Sequence, residues 1–234
     1  MKRDQSLENP FVTSALLETK QTKAAIRINP LTVLTWVPLF LLLLAYPLSL
    51  ILPRSLAWES GLIEDIQAGL LFGGFLVALY FAFRSQEPLK RKLWLSVTPF
   101  WLIIMLRELD WGAAFFPPTA MGPNGPKLAH LRDLWYGPYV YPILAVFLGW
   151  GLYLFFKHRL YRLLFQELRL KRFPTFEFTI AFIAIFISTF AEHKGYALLG
   201  NRHQLMEELT ELTFYVGLLI TQIKLFFSLK RAAR

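Results

Sequence analysis

The segment LTVLTWVPLFLLLLAYPLSLIL, residues 31–52, contains no charged residue. About 20 apolar residues in helical geometry cross a hydrocarbon layer of ~30 Å. Inside that layer each backbone N–H and C=O must find its partner within the chain, so a spanning segment is a helix or part of a closed barrel. The same apolar character returns along the whole sequence. Of its 234 residues, 55% are hydrophobic and 18% charged, against about a quarter charged in an ordinary soluble domain. The expected fold is therefore all-α, a polytopic transmembrane helix bundle.

Six spans are predicted, at roughly 31–52, 62–83, 93–114, 139–156, 175–196 and 209–229. They make a membrane domain over 31–229, preceded by a polar segment 1–30 and followed by a short tail 230–234. The first 30 residues lack an early apolar core and read as a segment that stays on the chain rather than as a cleaved signal peptide. The third span is the unusual one, since LIIMLRELDWGAAFF (102–116) sets Arg107, Glu108 and Asp110 among apolar residues. Taking Lys92 as its boundary, too few residues remain before Arg107 to cross. The helix is therefore expected to run on towards Phe115, with Glu108 about 24 Å from that boundary.

Basic residues set the expected orientation. Eighteen of the 25 Lys and Arg lie in 1–30, 84–92, 157–172 and 230–234, whereas Arg54, Arg107, Lys127, Arg132, Lys194 and Arg202 belong to the other side. Both termini are accordingly placed in the cytoplasm of a bacterial cell, in its inner membrane. KHRLYRLLFQELRLKRF (157–173) is expected to lie along the inner surface as an amphipathic helix attracted by anionic membrane lipid. The net charge of +9 is thus a topology signal, and no nucleic-acid partner is inferred from it. Lys224, inside the last span, is expected to snorkel to the interface. Gly69 and Gly73 form a GxxxG pair suited to close helix packing. The absence of cysteine excludes disulfides, thiol nucleophiles and cysteine metal sites. The sequence sets no oligomeric state.

Acids follow the opposite distribution. Glu64 and Asp65 open span two, Glu108 and Asp110 close span three, Glu192 and His193 close span five, and Glu207, Glu208 and Glu211 open span six. The spacings within 207–211 put those carboxylates along one stripe. Ionisable groups at such depth face a bundle interior or a wet cavity, so an outward-opening acidic pocket is expected.

Carboxylates with histidine suit a divalent metal (zinc, manganese or iron) that activates water. In that reading Glu64, His193, Glu208 and Glu211 are the ligands, and Arg107, Glu108 and Asp110 do the catalytic work. Asp65, Trp111, Glu192 and His130 would contact a lipid or lipid-linked substrate, the enzyme being a hydrolase or transferase. Three alternatives are metal-free acid–base catalysis by paired carboxylates, an ion-coupled transporter, and a non-catalytic accessory subunit of a membrane assembly.

The pair Glu64-Asp65, the motif RELDWG (Glu108, Trp111, Gly112) and the motif Glu207-Glu208-x-x-Glu211 resemble a loose group of uncharacterised bacterial inner-membrane proteins. Those proteins carry an acidic pair at the start of one span, a Glu-Glu-x-x-Trp-Gly motif ending the next, and Glu-Glu-x-x-Glu opening the last. Arg107 stands where that pattern has its second Glu. The resemblance implies a polytopic bundle with an outer-face polar site and no particular activity. The chain also has some likeness to membrane hydrolases of the alkaline ceramidase type. Its last span lacks the paired histidines of that set, so the assignment is not adopted.

Overall fold

The computed structural model describes the backbone of residues 30–122 and 125–232; the segment expected to be cytoplasmic, up to residue 29, lies outside them. The helices are α1 (Pro30–Ile51), α2 (Leu62–Arg84), α3 (Pro88–Glu108), α4 (Gly137–Lys157), α5 (Leu160–Arg169), α6 (Thr175–Leu199) and α7 (His203–Arg231). A small antiparallel hairpin, β1 (Ala120–Gly122) with β2 (Gly125–Lys127), lies between α3 and α4, with Met121 opposite Pro126. Five helical stretches are long and apolar enough to cross a membrane: Leu31–Ile51, Leu62–Arg84, Gly137–Lys157, Thr175–Lys194 and Gly200–Arg231. The chain is a helical, multi-pass membrane protein.

Helix α3 departs from the expected boundaries, and the difference is physical. It starts at Pro88, whose missing N–H costs nothing in a first turn, and carries Lys90, Arg91 and Lys92 within it. Its 21 residues span about 32 Å, so it gains length at its basic end and has no need to continue past Glu108. There it stops. Asp110, Trp111 and Gly112 take φ of 45°, 57° and 98°, a left-handed run that no α-helix accommodates.

Packing is tightest where side chains are smallest. Helix α7 lies most extensively against α6, and α2 against α3. A Cβ placed on Gly217 of α7 would stand 2.8 Å from the Ala181 Cβ of α6. One on Gly74 of α2 would meet the Trp101 ring of α3 at 2.6 Å. The GxxxG pair is a correction: a Cβ on Gly69 or Gly73 meets nothing within 4 Å among the described residues. Gly74 makes the close approach instead.

Phe81, Leu93, Trp94, Leu160, Leu225, Phe226 and Leu229 form one buried cluster. Helix α5 is part of it, because Leu160 is fully buried and the buried Glu167 accepts a hydrogen bond from Ser228 Oγ at 3.2 Å. Its amphipathic character therefore serves packing on one side, while Phe165, Leu168 and Leu170 stay exposed on the other. Helix α4 is covered least. Tyr139, Ile143, Val146, Trp150 and Phe156 all face outward, an apolar surface that suits hydrocarbon and would be an aggregation patch in water.

Gly217→Val forces α6 and α7 apart and should lower stability by about 1–3 kcal/mol. Thermal denaturation in detergent should show it melting well below wild type, whereas Gly69→Val, facing open space, should melt like it.

Candidate functional site

Three helix ends meet where α2 begins, α3 ends and α7 begins. Helix starts favour carboxylates, which face the free backbone N–H groups of the first turn. Glu64 of α2 uses this locally, its Oε2 accepting the Ser60 N–H at 2.7 Å. The other acids are held across helices. Tyr215 Oη of α7 donates to Glu108 Oε1 of α3 at 2.7 Å. Arg107 Nη2 donates to Glu211 Oε1 at 3.3 Å and lies 3.7 Å from Glu108 Oε1. Ser188 Oγ of α6 donates to the same Glu211 oxygen at 3.2 Å. Thus α3, α6 and α7 are tied through one guanidinium and two carboxylates.

Beside this knot, Gln67 of α2 is fully buried. Its Nε2 donates to Glu208 Oε2 at 3.0 Å and to the Glu208 backbone oxygen at 2.9 Å. Its Oε1 has no hydrogen-bond partner, an unusual state for a buried acceptor. Arg107 is the cation that Glu108, Asp110, Glu207 and Glu211 share electrostatically, and Glu64, Glu108, Glu207 and Glu211 in turn surround Glu208. One guanidinium does not balance that many carboxylates.

The left-handed run after α3 turns Asp110 and Trp111 out of this knot. They line a cleft of about 600 Å³ with Glu59, Lys127, His130 and Asp133. A Cβ on Gly112 would stand 2.8 Å from Tyr136 Oη, so the turn requires glycine for space as well as for φ. Burial raises the Asp110 carboxyl above its ordinary value, the Glu59 carboxylate pushes the same way, and Arg107 opposes both.

The residues singled out in the sequence therefore divide. Arg107, Glu108, Glu208 and Glu211 come together with Glu64 close by, while Asp110, Trp111 and His130 share the neighbouring cleft. Asp65 is exposed on the first turn of α2. His193 and Glu192 are both exposed, with His193 Nδ1 3.0 Å from the Thr189 oxygen of its own helix. Among the described residues, no three histidine or acidic side chains are arranged to hold a metal ion. Gln67, Tyr215 and Ser188 escaped notice as site residues. Tyr215 was findable, since it lies four residues beyond Glu211 on the Glu208–Glu211 stripe.

The opposite half of α7 is polar too. Lys224 does not snorkel outward: its ammonium pairs with the buried Glu177 of α6 and reaches Thr35 of α1. Two residues earlier on α7, Gln222 accepts a hydrogen bond from Trp101 Nε1 and donates to the Gly74 oxygen at 3.1 Å. Family models, curated proteins and solved structures give no match to this chain. The grouping drawn from short motifs therefore rests on those motifs alone.

Asp110→Asn tests the cleft's electrostatics. A carboxyl with a raised folded value contributes stability that is present below its unfolded value, ~4, and is lost as pH rises through the folded one. The variant should therefore melt higher than wild type at pH 7.5, with the difference shrinking as pH falls towards ~4. A melting difference that stays constant with pH would refute the assignment.

Proposed function

We propose that the chain is an ion-coupled carrier of the bacterial inner membrane. In this reading α3 is a sixth crossing, both termini are cytoplasmic and the acidic end opens outward. The Lys and Arg distribution supports the orientation. The carrier reading is carried by one observation: in both halves of α7, charged or amide side chains pair with neighbouring helices. Glu208 and Glu211 lie at one end, and Gln222 and Lys224 at the other. Glu211 and Lys224 are about 20 Å apart along the helix. Ionisable groups inside membrane helices are costly and characteristically mark ion or substrate paths.

The chemistry follows from the contacts. Glu59 and Asp110 at the cleft attract a cation or proton to the outer mouth, and the excess of carboxylates around Glu208 receives it. Arg107 is the internal counter-ion that an arriving positive charge would displace from Glu211. Further in, the Trp101–Gln222 bond and the Lys224–Glu177 pair close the way. Exchange of a charge between those partners and the entering ion supplies the coupling.

A second reading has its own observation. The cleft puts His130, Asp110 and Glu59 beside Trp111, a set able to exchange protons with a lipid head group or lipid-linked substrate, as in a membrane hydrolase or transferase. A zinc, manganese or iron site would need Glu64, His193, Glu208 and Glu211 to converge. Their side chains are committed to Ser60, Thr189, Gln67 and Arg107 respectively, so no step is derived through a metal.

Reconstitution into liposomes with an imposed pH or cation gradient distinguishes the two. Wild type should give saturable flux, and Glu208→Gln and Glu211→Gln should lower it at least about tenfold, the loss of one charge-assisted contact of ~1.5 kcal/mol. Lys224→Gln combined with Glu177→Gln, which leaves no buried charge unpaired, should lower it similarly, and His130→Ala should leave it unchanged. Absence of flux, with head-group turnover that His130→Ala abolishes, would establish the enzyme instead.

A further inference from the structure

Lys92 of α3 and His158, just beyond the end of α4, place Nζ and Nδ1 3.4 Å apart. At that distance Lys92 donates to the ring nitrogen of a neutral His158, and no acid offsets the charge of the ammonium. Among the described residues no carboxylate pairs with either one. Glu87 is taken by Lys90 at 2.7 Å, and Glu167 is buried on Ser228. Lys157 is folded back, its ammonium 4.7 Å from the centre of the Tyr153 ring. An anion bridging Lys92 and His158 would complete the pair.

Directly beside them opens an apolar groove between α3, α4, α5 and α7. Leu93, Val97 and Trp101 line one wall, Phe155 and Leu164 another, and Leu218 the floor. It begins at Leu93, next to Lys92, and runs along α3 as far as Ile104. Eleven residues of helix make about 16 Å, close to half of a ~30 Å hydrocarbon layer. A groove of one leaflet's depth, with the Lys92 ammonium and the His158 imidazole near its Leu93 end, has a shape and charge that suit a phospholipid. Basic pockets between membrane helices hold anionic head groups by the same chemistry.

We infer that Lys92, His158 and the groove from Leu93 to Ile104 form a binding site for one anionic phospholipid, its phosphate on the Lys92 ammonium and the His158 ring and one acyl chain in the groove. The occupant belongs to the leaflet that meets the start of α3, whichever face of the membrane that is. The site lies at the far end of α3 from Arg107, and its lipid would wedge α4, the helix least held by protein, against α3.

The test uses the detergent-purified full chain with phosphatidylglycerol or phosphatidylcholine of the same acyl chains. Retained lipid is counted by native mass spectrometry, and melting is followed in parallel. Wild type should keep one phosphatidylglycerol and melt higher with it than with phosphatidylcholine, and inorganic phosphate alone should do nothing. Lys92→Gln and His158→Gln should each weaken phosphatidylglycerol about fivefold and leave phosphatidylcholine unaffected. Val97→Phe, which fills the groove, should weaken both lipids. Equal retention of the two lipids by wild type, or an undiminished preference in the Lys92→Gln/His158→Gln double variant, would overturn the site. Stabilisation by inorganic phosphate alone would do the same. Should Val97→Phe fail to fold, the two partly exposed polar variants decide. None of these outcomes depends on flux, so the carrier reading stands or falls separately.

Discussion

A helix with a polar buried face survives in hydrocarbon only if its neighbours supply partners for that face, since no water reaches it. Helix α7 is built under this constraint. Thr210, Thr213 and Thr221 return their hydroxyls to carbonyls of their own helix. The longer groups reach out: Tyr215 and Glu211 to α3, Glu208 to α2, Gln222 to α2 and α3, Lys224 to α6 and α1. The bundle is ordered around α7 because each of those bonds fixes a neighbour at a stated height along it. Apolar packing then fills between, with Gly74 and Gly217 allowing the closest approaches.

The same constraint explains why the turn after α3 is left-handed. A helix carried on to residue 114 would keep Asp110 one turn beyond Arg107, adding another carboxylate beside a crowded knot. Breaking the helix at Leu109 sends Asp110 into the cleft that Lys127 also lines. The break needs three residues at positive φ, and Asp, Trp and Gly meet that need unequally. Gly112 adopts it freely, Asp110 tolerates it, and Trp111 is held there by the surrounding packing. Backbone strain at a polar cleft is a common companion of binding sites.

Much of the fold was legible because hydrocarbon writes its demands in plain composition. Apolar runs located α1, α2, α4 and α6 to within about three residues, while α7 begins about six residues before its expected start. Helix α3 differs from expectation at both ends: Lys92 marks no boundary, because long basic stems extend along a helix that continues beneath them, and the left-handed turn ends it at Glu108. The acidic stripe of α7 was also visible, as spacing puts Glu208 and Glu211 together. Spacing says nothing about which neighbour answers, so Gln67, Ser188 and Tyr215 stayed hidden. Lys224 shows the limit most clearly. Snorkelling and inward pairing start from the same residue at the same depth, and only Glu177 on another helix decides between them.

The two ends of α7 differ in a way that bears on what the molecule does. At the Lys224 end charge is closed: Lys224 meets Glu177, and Thr35 accepts a further hydrogen bond from it. At the acidic end it is open, with one guanidinium among several carboxylates and Gln67 Oε1 left without a donor. A scaffold that only needed holding together would balance both ends alike, because an unmatched buried acceptor costs stability without return. In the proposed carrier reading, imbalance confined to one end makes that end the place where positive charge arrives and leaves. The balanced pair of Lys224 and Glu177 is, in that reading, the group such a charge disturbs to go further. Of the two proposed readings, transport and catalysis at the cleft both use the open end; only transport also uses the closed one.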